Sequence, residues 1–400
     1  MQNINRIQWL MTCSWLLLIF SLFYDPISSW LTLPDNQISP FSIQPENCVN
    51  FQNTCIQQTP YELGASIFWG IGVPGIIFGL LVFGHIFWRR ICPLSFLSQL
   101  PGALGLQRKR NHFDRYSKKY RRKSVIIKPQ SWLGRNHIYL QLILLYLGLC
   151  LRLLLVNHHR LSLGIFLLVT ILIAMFINYL YGGKTWCHYF CPMLPVQKIF
   201  CEPEGLINPQ QNKSKNRKVS KIPQSMCRTT NSQGQEIPDC VGCKTHCIDI
   251  DIEAAYWKGI TKAEQRWLYY GYVGLTIGFF SYNYLYAGNW EYYFSGIWAN
   301  PNTSMDTLFA PGFYIWEYPI PIPKLLAVPL TLALSTLGSY CLGCHVERIY
   351  KSYLIKRQKY YNLRLVRHRF FTLCTFLIFN FFFIFGAGNF ILLLPNTLQN

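Results

Sequence analysis

The sequence predicts an all-α polytopic membrane protein of about seven transmembrane helices with a small cytoplasmic insert rich in cysteine. Hydrophobic residues make up 51% of the 400 residues and charged residues only 14%, whereas a soluble domain is usually about 25% charged. Seven long apolar segments recur along the chain. Positive charge is concentrated in alternate connecting segments, as expected for loops on two sides of a membrane.

The composition also restricts the partners. A net charge of +20 would suit a nucleic-acid binder, but such a protein is polar throughout because its basic surface stays in water. Depleted charge combined with strong basicity instead indicates cationic loops beside membrane lipid and excludes nucleic acid. The aromatic content of 16% is typical of interfacial belts and packed spans.

Each apolar segment is about long enough to cross a hydrocarbon core of roughly 30 Å at about 1.5 Å per helical residue. The first has a cationic start, as a signal peptide does. It lacks a small-residue cleavage site and runs into Tyr24-Asp25-Pro26, so we interpret it as a span. The seven predicted spans are Ile7–Tyr24, Leu63–Trp88, Ile138–Val156, Leu161–Tyr181, Trp267–Ala287, Leu325–Gly343 and Phe370–Leu394.

The distribution of Lys and Arg predicts the orientation. With a cytoplasmic N-terminus, the inner segments carry 34 of the 37 Lys and Arg residues. The first outer segment, 25–62, has none. The positive-inside rule therefore favours this topology. The inner segments are 1–6, 89–137, 182–266 and 344–369.

This topology divides the chain into three parts. Residues 1–181 form an N-terminal membrane region of four spans. Its cytoplasmic loop, 89–137, contains a basic run that suits contact with lipid headgroups or docking of an acidic partner. Residues 182–266 form a cytoplasmic cysteine-rich domain, and residues 267–400 form a C-terminal membrane region of three spans.

The cytoplasmic domain contains seven of the fifteen cysteines. Cys240, Cys243 and Cys247 form a C-x2-C-x3-C run, with Cys227 thirteen residues upstream of Cys240. Soft thiolates on a short, Gly-containing loop can converge on one centre, which suits an iron–sulfur cluster or zinc. Four thiolates, or three with His246, would also make an ordinary tetrahedral zinc site.

Two Cys-Pro motifs lie at the ends of spans. The second span ends in W-x3-C-P at Cys92, and the fourth leads into W-C-x3-C-P, which contains Cys187 and Cys191. If the helix continues through the second motif, the i, i+4 spacing puts both sulfurs on one face. Two thiolates seldom complete a metal centre. The remaining ligands must therefore come from elsewhere in the chain, and the candidates are Cys92, Cys201 and the 227–247 loop.

Together these motifs resemble the NapH/NosR/CcoG group of membrane-bound, ferredoxin-type (polyferredoxin-like) 4Fe-4S proteins over roughly residues 63–255. The resemblance implies an iron–sulfur protein that passes electrons between a quinol or soluble donor and a redox partner protein. It favours iron–sulfur over zinc in a ferredoxin-like insert. We expect one [4Fe-4S] cluster on Cys227, Cys240, Cys243 and Cys247. A second cluster on Cys92, Cys187, Cys191 and Cys201 is a further hypothesis.

No P-loop, dinucleotide fingerprint or nucleophile–base pair is found in the sequence, so no catalytic residue is assigned. We therefore expect an electron-transfer component rather than a self-contained enzyme. Two alternatives stay open. One is a metal-handling or assembly protein whose cysteines bind copper or zinc, and the other is a subunit whose metal site is purely structural.

Other motifs give weaker signals. Cys341, Cys344 and His345 form C-x-x-C-H, the c-type haem motif. The topology puts it on the cytoplasmic side, opposite to where haem is attached, so no haem is expected. His85 could ligate haem or relay a proton, or hydrogen-bond within the bundle. The aromatic outer segment Asn289–Pro323 is typical of an interfacial cap and could instead shape a quinone pocket.

Two local expectations concern the outer side. Cys48 and Cys55 could form a small disulfide on an oxidising face, or remain free thiols. Arg152 lies near the outer end of the third span, where we expect its side chain to snorkel outward.

Overall fold

A computed structural model shows a mostly helical chain in which the described strands form only two-stranded antiparallel sheets. The structure describes residues 2–36, 38–39, 41–43, 48–57, 59–114, 119–125, 127–128, 130–157, 159–182, 184–203, 228–230, 236–238, 252–299, 305–316, 318–357 and 362–387. The helices in these ranges are α1 (Gln2–Phe23), α2 (Ser28–Leu31), α3 (Gly64–Ile67), α4 (Val73–Ile91), α5 (Pro93–Leu97), α6 (Leu100–Ala103), α7 (Trp132–Leu151), α8 (Arg160–Leu180), α9 (Met193–Cys201), α10 (Ile252–Gly259), α11 (Ala263–Arg266), α12 (Tyr272–Ala287), α13 (Glu291–Phe294), α14 (Lys324–Lys356) and α15 (Leu363–Phe382).

Shorter elements join these helices. The π-helical turns are Phe68–Gly72, Arg152–Val156, Trp186–Phe190, Trp267–Gly271 and Phe383–Ala387, and the 3-10 turns are Ile297–Ala299 and Met305–Leu308. The strands pair as β1 (Cys48–Phe51) with β2 (Thr54–Gln57), β3 (Lys109–Asp114) with β4 (Lys119–Ser124), β5 (Arg228–Thr230) with β6 (Glu236–Pro238), and β7 (Pro311–Ile315) with β8 (Tyr318–Pro323).

Six helical segments of the described chain are long and apolar enough to cross a membrane, so this is an integral membrane architecture. They coincide with six of the seven predicted spans. The longest, α14, has 33 residues and is roughly 50 Å long at about 1.5 Å per residue, which exceeds a hydrocarbon core of about 30 Å. The six segments are Arg6–Phe23, Gly64–His85, Trp132–Val156, Arg160–Leu180, Lys324–Lys356 and Leu363–Gly386.

The seventh predicted span, Trp267–Ala287, is helical but is not among the six. The reason is its polar content, because α12 contains four tyrosines and Asn283. These groups find partners inside the protein. The Tyr282 hydroxyl donates to the Gly312 carbonyl oxygen at 3.0 Å, and Tyr270 in the preceding π turn donates to Glu347 Oε2 at 3.1 Å. Buried inside the fold, α12 has less need for the apolar surface that faces lipid.

The chain divides into two compact units. Unit 1 comprises residues 1–17, 79–145 and 167–259, and unit 2 comprises residues 18–78, 146–166 and 260–400.

In unit 2, α12 packs closely on α14 through small residues. An added Cβ at Gly274 would overlap the carbonyl oxygen of Ser335, and one at Gly278 would overlap the Ser335 hydroxyl. Gly274 and Gly278 have the G-x-x-x-G spacing that lets membrane helices approach each other closely. Ser339 Oγ adds a hydrogen bond to the Tyr270 carbonyl oxygen at 2.8 Å.

A disulfide joins Cys48 to Cys55 across the β1–β2 hairpin of unit 2. The sequence allowed either a disulfide or two free thiols at these positions, and the structure has the disulfide. The hairpin turn at Gln52 and Asn53 has positive φ angles of 49° and 60°. The Gln52 N–H bonds to the Ala287 carbonyl oxygen at 3.1 Å, which fixes the hairpin beside the end of α12.

In unit 1, α4 is broken at Gly84, whose φ of 72° lies in the left-handed region that favours glycine. His85 follows this break, and Cys92 lies just beyond the end of α4. Hydrogen bonds hold the next segments against the end of α8. Asn178 Nδ2 donates to the Ser98 carbonyl oxygen, and the Arg108 N–H donates to the Tyr179 carbonyl oxygen at 2.9 Å. The break and these bonds bring the two Cys-Pro motifs into one region of unit 1.

Candidate metal centre

Three of the predicted ligands share a cavity in unit 1, which we call the thiol cavity. Cys92, Cys187 and Cys191 line it, and it contains roughly 500 Å³ of space, open solvent included. Its other lining residues are His85, Trp88, Leu94, Ser95, Lys184, Trp186, His188, Leu194 and Gln197.

The two Cys-Pro motifs adopt the same backbone conformation. Cys92 has φ and ψ of −60° and 113°, and Cys191 has −59° and 117°. Proline disfavours the helical region for the residue before it, which explains both extended cysteines. Each is followed by a helix, α5 or α9. The sequence repeat thus becomes a structural repeat around one cavity.

Cys187 belongs to a π-helical turn, whereas the i, i+4 spacing of Cys187 and Cys191 predicted an α-helix. The Cys191 N–H donates to the Trp186 carbonyl oxygen at 2.8 Å, which is an i to i+5 bond. Both cysteines still face the thiol cavity. π turns are rare and often occur at functional sites.

The environment of Cys92 and Cys191 disfavours their thiolate forms. Burial, together with the neighbouring Cys187, raises the pKa of Cys92 to about 12. The backbone N–H groups of Ser95 and Leu94 partly oppose this shift. Burial, then Cys187 and Cys92, likewise raise the pKa of Cys191. A soft cation must therefore displace protons from these thiols, so its affinity rises with pH.

Lys184 gives the thiol cavity a buried positive charge. Its side chain is only 6% exposed, and its Nζ has no hydrogen-bond partner. No Asp or Glu is found among the described residues that line the cavity. The Trp186 Nε1–H, on the same wall, is also buried without an acceptor. A buried, unpaired ammonium is costly, so this cavity suits an anionic occupant.

Two histidines complete the polar lining. His85 is buried and lies on the cavity wall. His188 stacks on His137 with ring centroids 5.4 Å apart, and its carbonyl oxygen accepts from Gln141 Nε2 at 2.9 Å. These contacts fix the π turn that contains Cys187.

The structure does not bring Cys201 to the thiol cavity. Cys201 is at the far end of α9, whose nine residues extend roughly 13 Å at about 1.5 Å per residue. It is fully buried, and its Sγ–H donates to the Leu80 carbonyl oxygen at 3.5 Å. Of the four cysteines in the hypothetical second cluster, three share a cavity and one lies elsewhere.

The predicted principal ligands, Cys227, Cys240, Cys243 and Cys247, lie outside the described residues. The neighbouring backbone forms the β5–β6 hairpin, in which Arg228 pairs with Pro238.

The C-x-x-C-H motif lies within the continuous helix α14. Cys341 is exposed, and Cys344 is half-buried with Arg266 Nη1 4.0 Å from its sulfur.

The fit to a thiolate-bound metal is partial. Within the described ranges, no group of three or more His, Cys, Asp or Glu side chains is arranged to hold a metal ion. The donor chemistry of the thiol cavity nevertheless matches an anionic, sulfur-ligated group, because three thiols adjoin one unpaired ammonium. Cys92, Cys187 and Cys191 are thus candidate ligands, and the fourth ligand is unassigned.

Lys184 is the site residue that the sequence interpretation missed. It lies in the segment 182–266, which is rich in Lys and Arg and which the sequence predicts to be cytoplasmic, and a lysine in such a segment normally sets topology. The available signal was its position between a glycine and the W-C-x3-C-P motif.

Comparison with known proteins adds no assignment to this site: no family model, curated protein or solved structure matches the chain.

Proposed function

We propose that this integral membrane protein transfers single electrons through iron–sulfur chemistry, between a quinol or soluble donor and a redox partner protein. The observation that carries the proposal is the thiol cavity, where Cys92, Cys187 and Cys191 surround one space beside the unpaired Lys184 ammonium. The resemblance to membrane-bound ferredoxin-type proteins rests on the same motifs.

The residues of the thiol cavity would have distinct roles. Cys92 and Cys191 present their sulfurs from matching Cys-Pro turns, and Cys187 adds a third from the π turn. Lys184 offsets the negative charge that several thiolates accumulate, which is a means by which proteins tune cluster potentials. The apolar wall around Trp186 limits access of water. A bound cluster would supply the one-electron chemistry.

The 227–247 loop remains the proposed site of the principal [4Fe-4S] cluster, on Cys227, Cys240, Cys243 and Cys247. Pairing of Arg228 with Pro238 supports it, since these residues lie one and two positions from Cys227 and Cys240 in the sequence. A hairpin at this point shortens the loop that four converging sulfurs must close.

Iron and acid-labile sulfide in anaerobically purified protein test this function. We expect both elements, a visible absorption that dithionite bleaches, and a paramagnetic signal from the reduced cluster. Cys243→Ala should lose the signal of the principal cluster because a thiolate ligand is removed. Zinc or copper without labile sulfide would instead support metal handling or a structural site. A cluster that no cellular donor can reduce would indicate a structural role.

The proposed cytoplasmic side of the insert requires α12 to cross the membrane as a seventh span. Only then do the insert and the basic segment that follows Gly343 both lie inside. The Cys48–Cys55 disulfide supports an oxidising outer face.

Labelling of intact cells with a membrane-impermeant maleimide checks this orientation. We expect Cys48 and Cys55 to react only after reduction, and the exposed Cys341 to react only once the membrane is permeabilised. If α12 does not cross, Cys341 moves to the outside. Labelling of Cys341 in unpermeabilised cells would therefore overturn the proposed topology.

A further inference from the structure

Unit 2 contains a second cavity, which we call the arginine cavity. It contains roughly 830 Å³ of space, open solvent included, and aromatic and aliphatic side chains form most of its wall. Phe280, Tyr293 and Trp298 are buried in this wall. Tyr293 and Trp298 belong to the aromatic segment Asn289–Pro323. The sequence analysis gave a quinone pocket as one of two interpretations of this segment.

Arg152 is the one charged residue among the described residues that line the arginine cavity. Its guanidinium carbon lies 3.6 Å from the Trp69 ring centroid and 4.7 Å from that of Phe279. Its Nε donates to Asn157 Oδ1 at 3.1 Å. The expectation that Arg152 snorkels outward is therefore wrong, because its guanidinium lies over two aromatic rings of unit 2.

Local backbone geometry singles out the same cavity. Trp69, Gly70 and Ile71 belong to the π turn Phe68–Gly72, and Arg152 begins the π turn Arg152–Val156. Gly386 belongs to a third, Phe383–Ala387. π turns are rare and are frequently found at functional sites. Three of the five π turns in the described chain contribute to this cavity, which supports its role as a binding site.

The charge balance of the arginine cavity specifies the ligand. No carboxylate of the described residues pairs with Arg152, and no described Asp or Glu lines the cavity. The Trp69 Nε1–H is buried without an acceptor. A guanidinium forms its strongest hydrogen bonds with carboxylate or phosphate oxygens. The polar part of the site therefore offers donors and positive charge, and the rest offers an apolar wall.

From these observations we propose that the arginine cavity binds an amphiphile with an oxyanion headgroup and an apolar tail. Arg152 and the Trp69 Nε1–H would bind the headgroup, and the wall around Phe280 and Phe382 would contact the tail. A carboxylate of a free fatty acid and the phosphate of an anionic phospholipid share this chemistry. The proposal is independent of electron transfer by the thiol cavity.

Equilibrium binding of radiolabelled oleate and, separately, radiolabelled phosphatidylglycerol to the detergent-solubilised full chain tests the proposal. We expect saturable binding of at least one of them. Arg152→Met should weaken it about tenfold to hundredfold, because a hydrogen bond to a charged group is lost. Trp69→Phe removes the indole N–H and also shrinks the ring over which Arg152 lies, and it should weaken binding at least twofold to tenfold. The tighter ligand identifies the source of the oxyanion.

Arg135→Met serves as the matched control, because it removes the same charge from the exposed, opposite end of the same span and should leave binding unchanged. Arg152→Lys keeps the charge, and we expect it to retain more affinity than Arg152→Met. Trp69→Phe keeps the Arg152 charge and an aromatic ring at position 69, and it tests the headgroup donor if the Arg152 variants do not fold. Binding of neither probe, equal affinity in the Arg152→Met, Trp69→Phe and unmodified proteins, or displacement of the bound probe by neutral decylubiquinone as effectively as by unlabelled anion would overturn the proposal.

Discussion

Cys191→Ala should abolish loading of the thiol cavity, whereas Cys201→Ala should leave it intact. Cys191 lines the cavity beside Cys92 and Cys187, and its loss leaves two thiols, which seldom hold a metal centre. If the 227–247 loop carries its own cluster, iron and labile sulfide should fall by about half, since each cluster contributes equally. Both are measured on anaerobically purified protein against protein concentration.

The Cys201→Ala control is closely matched. Cys191 lies just before α9 and Cys201 ends it, and both are buried, but Cys201 bonds to the Leu80 carbonyl oxygen and does not line the cavity. A general effect of removing a buried thiol would lower iron in both variants. Equal iron content in Cys191→Ala and in the unmodified protein would exclude the thiol cavity as a cluster site.

Gly274→Leu should strongly destabilise unit 2. Any side chain at this position meets the backbone carbonyl of Ser335, and a backbone atom cannot rotate out of the way. Overpacking usually costs about 1–3 kcal/mol, and the closely packed α12–α14 pair leaves little room to relax. We expect a lower apparent melting temperature in detergent and a smaller yield of folded protein.

Gly148→Ala is the control for this prediction. A Cβ at Gly148 in α7 has no neighbouring atom within 4 Å. The substitution should therefore be neutral or stabilise the helix by about 0.5–1 kcal/mol, the usual helical penalty of glycine. Equal melting temperatures for Gly274→Leu and Gly148→Ala would contradict the close helix contact.

Hydropathy and charge predicted the membrane helices well because both properties are local in sequence. Six predicted spans correspond to helices that are long and apolar enough to cross a membrane, and the largest difference is at α14, which continues to Lys356 rather than ending at Gly343. The exception is α12, because the local hydropathy of a segment does not show whether the segment faces lipid or protein. Tyr282 gains its hydrogen-bond partner from Gly312, thirty residues away, and only the folded chain reveals that such a helix is enclosed by protein.

The candidate site was partly predictable. Repetition of Cys-Pro pointed to Cys92 beside Cys187 and Cys191, since proline imposes the same local conformation on each motif. Cys201 was also predicted because it is close to Cys191 in sequence. The nine-residue helix α9 places it at a distance from the thiol cavity. The surroundings of Lys184 and Arg152 were not predictable, because burial and aromatic stacking depend on residues distant in sequence.

The buried Lys184 ammonium also bears on biogenesis. Under the proposed function, a chain without its cluster keeps an uncompensated buried charge at Lys184, while a loaded chain neutralises it. The protein without its cluster is then less stable than the loaded protein. Membrane quality-control proteases would therefore degrade the unloaded form preferentially. Cofactor delivery would thus set how much of the newly made protein survives, apart from any effect on electron flow.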